Sequence, residues 1–452
     1  MRELKLILLI VLATLVNYHH ANADESPSIS GDWQGELAIS PQQTMQLIFH
    51  FVATEQGHKV TFDVPAQQQF SLEFNKVNIN GNKVALAFDA ANIRYSAELV
   101  NNELVGLYQQ GGFQAQLNLQ PTEKEIARQK KQQEPSGPNS YIEKHVEFPA
   151  LDDSHYLSGI LSYPEKDVHA VAILLSGSGP TTRDADVFGH KIFTVLADQL
   201  TKQGIAVLRY DDRGVGESTG DYARATSADF ADDANAAFKY LKSLQQFSNN
   251  KIGFVGHSEG GLIAAIAGSR NAQIDFIVSL AGLGTTGAQL LIDQSYYIQK
   301  RSGMEPIALK ESDKAQRKIM AAVEAGATLN ELVTLMKGFG MPEQSAQTQA
   351  KQLTSPWFKF FIETDPSIYL AKLTMPVLAL NGELDSQVLP MQNIAGIKKS
   401  ISSNSLTTKI YPNLNHLFQP AKTGLPNEYG QIDITFSEIV SDDIVQWLTA
   451  LN

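Results

Sequence analysis

The sequence places one serine between two close glycines, Gly256-His257-Ser258-Glu259-Gly260, with the apolar run Ile252–Val255 before it and the small-residue stretch Gly261-Leu262-Ile263-Ala264 after it. On a sharp turn from strand to helix, the positions two before and two after a serine must be small, or the flanking backbones collide. The helix that follows aims its N-terminus at the serine and favours developing negative charge. The bland reading is a glycine-containing strand end with a helix-capping serine; the position between a buried strand and an Ala/Gly-rich helix weighs against it. A serine hydroxyl is a poor nucleophile without a base. In enzymes built on such a turn, the acid and then the histidine follow the serine along the chain. Asn381-Gly382-Glu383-Leu384-Asp385 closes the strand-like run Pro376–Leu380, which makes Asp385 the expected acid and Glu383 the fallback. His416 is the only histidine after Asp385 and is the expected base. His257, next to the serine, is expected to point away into the sheet.

Acyl transfer also needs two main-chain N–H groups aimed at the oxygen that gains charge. One should belong to Glu259, directly after the nucleophile. The other should come from Ser176-Gly177-Ser178-Gly179-Pro180, the loop after the strand Ala170–Leu175, with the N–H of Ser178 preferred. The bland reading of that loop is an ordinary glycine turn.

These residues need a scaffold, and from Tyr141 onward the pattern supplies one. Buried strands at Ala170–Leu175, Ile205–Tyr210, Ile252–Gly256, Phe276–Ala281 and Pro376–Asn381 alternate with helices at Lys191–Gln203 and Ser227–Leu244. This predicts an α/β domain over 141–452 with a mostly parallel sheet covered on both faces. A last helix near Ser437–Leu451 should bury Ile439, Val440, Ile444, Trp447 and Leu448. The interval from about Thr285 to Leu373 has helical periodicity and no convincing strand, so it reads as a cap inserted at about 285–373. Its aromatic and methionine side chains, Trp357 and Phe361 among them, suit an apolar substrate-binding wall, favouring small or medium acyl groups over charged substrates. The bland reading is that they pack the cap onto the core.

Residues 24–121 read as a small β-rich domain. Met45, Leu47, Phe49 and Phe51 alternate with their neighbours, and Asn80-Gly81 between two such runs suggests a type I′ hairpin turn. Residues 122–140 are charged and polar and read as a linker, which makes the β-rich domain separable and not catalytic. Residues 1–23 have the layout of a secretory signal, ending in Ala21-Asn22-Ala23, so export to the periplasm or beyond and a mature start at Asp24 are expected.

The chain has 452 residues, a formal charge of −12 and no cysteine. A thiol nucleophile, a disulfide and a thiolate metal site are thereby excluded. The acidic balance disfavours nucleic acid as a partner. No His-Glu-x-x-His or comparable cluster is present, so neither a metal nor a cofactor is expected. No stretch reaches the ~18 apolar residues of a membrane span. Oligomeric state is not legible.

From Tyr141 to Asn452 the chain resembles an α/β-hydrolase, similar to the bacterial esterase and serine-aminopeptidase-like group. The resemblance rests on Leu175-Ser176-Gly177-Ser178-Gly179-Pro180, Tyr210-Asp211-Asp212-Arg213-Gly214-Val215-Gly216-Glu217-Ser218, Gly256-His257-Ser258-Glu259-Gly260-Gly261 and the spaced Asp385 and His416. It implies a serine esterase acting on a small-molecule ester. The alternatives are a serine aminopeptidase of the same fold, or a binding protein with a silent hydrolase body. Many relatives carry His-Gly where this chain has Ser176-Gly177, and the resemblance does not reach the β-rich domain.

Overall fold

The computed structural model describes residues 29–451, apart from 41–42, 55–56, 66–68, 89–92, 111–112, 124–129, 138 and 402–404. The expected signal segment lies outside the described residues.

Eight strands form the central sheet of the C-terminal body, in the spatial order Ile142–Pro149, Tyr156–Tyr163, Ile205–Tyr210, Ala170–Leu175, Lys251–His257, Ile277–Leu280, Val377–Gly382 and Leu406–Tyr411. The first two are antiparallel and the remaining six run parallel. Ala170–Leu175 shows why such a strand is apolar throughout. Val171, Ile173 and Leu175 pack into one core with Ala234, Leu241 and Leu262, while Ala170, Ala172 and Leu174 pack into another with Leu196, Leu200 and Ile444. Alternate side chains therefore meet helices on opposite faces, and neither set can be polar.

The last helix, Glu438–Thr449, buries Val440, Ile444 and Leu448, which recur every four residues. Ile439 does not belong to that face: it is 55% exposed, one residue and about 100° around the helix from Val440. Between Ile277–Leu280 and Val377–Gly382 the chain forms only helices among the described residues: Gly287–Arg301, Pro306–Glu324, Leu329–Gly338, Glu343–Leu353, Pro356–Glu363 and Ser367–Leu370. An open groove of about 530 Å³ on this helical insertion, lined by Leu329, Val333, Lys337 and Gln347 among others, shares no residue with the serine site.

The N-terminal region forms two five-stranded antiparallel sheets around a core of Trp33, Phe49, Phe51, Phe62, Phe74 and Tyr95. A Leu104–Leu119 bridge ties one sheet to the other, and the Phe49 and Tyr95 rings meet at 5.0 Å. The hairpin at Asn80 differs from the sequence reading. Asn80 pairs with Lys83, so the turn residues are Gly81 and Asn82, and of these only Gly81 has positive φ. That is the requirement of a type II′ turn. The turn with positive φ at both central positions is Asn101-Asn102, between Val100 and Glu103.

The segment read as a flexible linker is partly fastened. Lys131 Nζ donates to the carbonyls of Gly430 and Ile432, at 3.0 and 2.9 Å. The Gln133 side chain donates to the carbonyl of Phe436 and accepts from the N–H groups of Thr435 and Phe436. One glutamine amide thus closes three main-chain hydrogen bonds of the body, the pairing an added strand would give. Local composition carries no sign of it.

Candidate active site

The strand Lys251–His257 delivers Ser258 at φ 58°, ψ −121°, and the helix Glu259–Arg270 begins with the next residue. A non-glycine residue in this region is strained, and the packing around it has to hold it there. The two glycines explain how the turn closes. A Cβ on Gly256 would lie 2.1 Å from the carbonyl oxygen of Gly260, and one on Gly260 would lie 2.1 Å from that of Leu175.

Asp385 stands three residues beyond the strand Val377–Gly382 and is buried. Its Oδ1 accepts from the N–H groups of Gln387 and Val388, both at 2.8 Å, and its Oδ2 accepts from Asn381 Nδ2 at 3.1 Å. The same Oδ2 meets His416 Nδ1 at 2.8 Å. With Nδ1 donating to the carboxylate, the lone pair of His416 lies on Nε2, the tautomer a general base requires. Glu383 does not reach the histidine; its carboxylate accepts from the N–H of Asn413.

His416 is brought to the serine turn by a contact the sequence reading missed. His257 Nε2 meets the carbonyl of His416 at 2.9 Å, and the two rings lie 4.8 Å apart. His257 therefore does not simply point away into the sheet: it grips the backbone of His416. Burial pushes the His257 pKa down to about 3, with the neighbouring His416 acting in the same direction. The ring is neutral at ordinary pH and donates its one N–H to that carbonyl.

The loop after Ala170–Leu175 lies against the serine. A Cβ on Gly177 would stand 3.2 Å from Ser258 Cβ and 3.7 Å from its Oγ. The N–H of Ser178 has no protein acceptor among the described residues. Glu259, first in its helix, has an N–H with no intrahelical partner.

A family model described as serine aminopeptidase, S33, matches residues 190–321, which include Ser258. Esterase EstD of Thermotoga maritima is 25% identical over 318 residues, covering 69% of this chain and 68% of that protein. Among solved structures, an esterase of Pyrococcus furiosus has a TM-score of 0.42 at 17% identity, covering 63% of this chain and 90% of that one. A proline iminopeptidase of Mycobacterium smegmatis has a TM-score of 0.43 at 16% identity, covering 68% and 98%. The strand order is decisive, with two antiparallel leading strands, one crossed pair and the serine turn after the fifth strand along the chain. The chain has the α/β-hydrolase fold. The relatives named above are two esterases and a proline iminopeptidase.

Two buried carboxyl groups surround the loop that bears Ser178. Asp212 accepts from Ser176 Oγ at 2.8 Å and from the N–H of Thr181 at 2.9 Å, so it fixes both ends of the loop. Burial raises the Asp212 pKa to about 8, and the negative charges of Glu259 and Asp233 add to the rise. Ser176 is thus an anchor to Asp212. Its neighbour Asp211 accepts from the Arg183 main-chain and side-chain N–H groups, and Arg213 pairs with Asp233. The Asp-x-Arg-Gly segment is therefore the brace of this loop.

The second carboxylate is Glu259, whose pKa burial raises. Its oxygens accept from Ser178 Oγ, Ser227 Oγ and Trp357 Nε1. Trp357 of the helical insertion therefore reaches the residue next to Ser258, half-buried and stacked on Phe361 at 5.3 Å. Phe361 is 3% exposed and packs against the indole. Among the described residues, no group of three or more His, Asp or Glu side chains could hold a metal ion, and no helix is long and apolar enough to cross a membrane.

Proposed function

We propose that this chain is an exported serine hydrolase that cleaves carboxylic esters through an acyl-enzyme intermediate on Ser258. The observation that carries the reading is the buried Asp385–His416 pair, held by His257 against the strained serine turn. Ser258 Oγ attacks the ester carbonyl carbon as its proton passes to His416 Nε2. The resulting oxyanion is held by the N–H groups of Ser178 and Glu259. Collapse expels the alcohol oxygen, which takes the proton from Nε2. Water then repeats the sequence on the acyl-enzyme with His416 as base, and the acid leaves with Ser258 regenerated. Asp385 keeps Nδ1 protonated and steadies the imidazolium. Trp357 supplies an apolar wall suited to small or medium acyl groups. The relationship to a Thermotoga maritima esterase supports the ester as substrate class.

The test pairs covalent labelling by an alkyl fluorophosphonate with turnover of nitrophenyl esters and aminoacyl-nitroanilides assayed side by side. Labelling at Ser258 and faster turnover of esters are expected. Wild-type turnover in the Ser258→Ala chain overturns the mechanism. The second reading is a serine aminopeptidase, favoured by the description of the matching family model over 190–321; faster nitroanilide cleavage would establish it. Export is tested by sequencing the N-terminus of the mature chain, expected at Asp24.

A further inference from the structure

Glu259 has a second role that its main-chain N–H does not account for. The residue is 1% exposed, and three donors from three separate parts of the fold converge on its carboxyl group. Ser178 Oγ, on the loop beside the serine, donates to Oε2 at 2.6 Å. Ser227 Oγ, at the start of the helix Ser227–Ser243, donates to Oε1 at 2.6 Å, and Trp357 Nε1, on the insertion helix Pro356–Glu363, donates to Oε1 at 2.9 Å. An indole N–H can only donate, so the group facing it must carry lone pairs. A carboxylate is the side chain with two acceptor oxygens, able to satisfy three donors arriving from different directions. No cation among the described residues pairs with it, and burying an unpaired carboxylate is costly unless such hydrogen bonds are made.

We infer that the Glu259 side chain is a positioning residue that couples the helical insertion to the oxyanion loop: the carboxylate that fixes Ser178 also holds Trp357, so the acyl-binding wall and the oxyanion donor move together. The inference rests on the serine-hydrolase reading above. When Trp357 is seated on Glu259, the loop carrying the Ser178 N–H is fixed from one side by Glu259 and from the other by Asp212. When Trp357 is displaced, one of three bonds to Glu259 is lost, and Ser178 is held by a carboxylate that has itself been loosened. A substrate that seats the indole correctly therefore also completes the donor geometry. Fit of the acyl group is thereby transmitted to the rate of the chemical step.

The roles separate in kinetics, because a donor that acts on the oxyanion shows in kcat while a wall that holds the acyl group shows in KM. Ser178→Ala should lower kcat with little change in KM. Trp357→Phe, which keeps a ring and removes the N–H, should raise KM, flatten the acyl-chain-length profile and also lower kcat, by less than Glu259→Ala does. Glu259→Ala should do both, with kcat falling about 10–100-fold, less than the ~10²–10³ that follows outright loss of an oxyanion donor. Glu259→Gln should recover part of this: its amide oxygen can accept from Ser227 and Trp357 while its NH₂ group donates to Ser178 Oγ. In the Glu259→Ala background, adding Trp357→Phe or Ser178→Ala should cost little more.

A readout independent of turnover is the ¹⁹F spectrum of the full chain labelled with fluorotryptophan, whose three tryptophans give three resonances. The resonance missing from Trp357→Phe should shift in Glu259→Ala and return toward the wild-type position in Glu259→Gln. An unshifted resonance overturns the coupling. So does a Glu259→Ala chain with only a lower melting temperature, or one whose effects simply add to those of Trp357→Phe and Ser178→Ala. A shifted resonance in a chain whose wild type neither takes the fluorophosphonate nor turns over any ester leaves the Glu259–Trp357 contact standing and removes the hydrolase reading.

Discussion

The two halves of the molecule treat histidine in opposite ways. In the β-rich half, His50 stands between Asp32 and Asp63, with Nδ1 2.8 Å from one carboxylate and Nε2 3.0 Å from the other. The hydrogen bond to Asp63 leads the effects that raise its pKa to about 9, so it is a cation at neutral pH. In the body, His257 is enclosed, has one carbonyl for a partner, and is held neutral down to about pH 3. An ion pair at a partly open sheet face links neighbouring strands, and water still solvates it. A neutral imidazole in a closed site leaves no competing positive charge beside His416. Hydrogen-bond partners and burial, not residue type, decide which histidine carries charge.

The comparison is broken most severely at the serine site. On the proposed mechanism Ser258→Ala or His416→Ala should lower ester turnover by about 10⁶, since the three residues would act as a unit. Asp385→Asn should cost about 10⁴, and Glu383→Gln far less. His50→Gln, in the other half, should leave kcat/KM at its wild-type value. Steady-state kinetics on one nitrophenyl ester checks all five.

A smaller effect follows from protonation of His257. Its folded-state pKa lies below that of the unfolded chain, so the unfolded state binds more protons below about pH 6.5 and stability falls as pH drops from there toward 3. At pH 4.5 this amounts to about 2–3 kcal/mol relative to pH 7. Denaturant melts at the two pH values should show that loss in the wild type and a shallower one in His257→Gln. An identical acid slope in the variant would remove His257 as its source.

The bridge between the two halves sharpens the comparison further. Gln133→Ala removes three hydrogen bonds to the Thr435–Phe436 backbone and should cost about 1–2 kcal/mol. A chain beginning at Ser140 should melt lower than one beginning at Lys130, which keeps Lys131 and Gln133. Equal melting temperatures would mean the docked segment adds nothing to the body.

The smallest effect belongs to His50. Its folded-state pKa is raised, so its stabilisation is fully present below about pH 6.5 and is lost as pH rises through 9. His50→Gln should cost about 0.5–1 kcal/mol at pH 6 and nothing at pH 10, measured by thermal melting.

What the sequence determined by itself is what neighbouring residues determine. The serine turn is a matter of local sterics: Gly256 and Gly260 are the positions where a Cβ would strike backbone, and their spacing is visible in five residues. The strands of the body were legible because a sheet covered on both faces has to be apolar at every position, and strand ends fell within a residue or so of Ala170–Leu175, Ile205–Tyr210 and Lys251–His257. Tertiary structure decided the partners. Asp385 and Glu383 share one loop, and only the turn that supplies the N–H groups of Gln387 and Val388 turns Asp385 toward His416. Glu259 and Trp357 are 98 residues apart, His257 and the carbonyl it holds 159, and Gln133 and Phe436 303. Such contacts leave no periodic trace, because no local conformation brings the pair together. They exist only once the sheet has fixed where each loop ends, and each satisfies a polar group whose burial was itself created by folding.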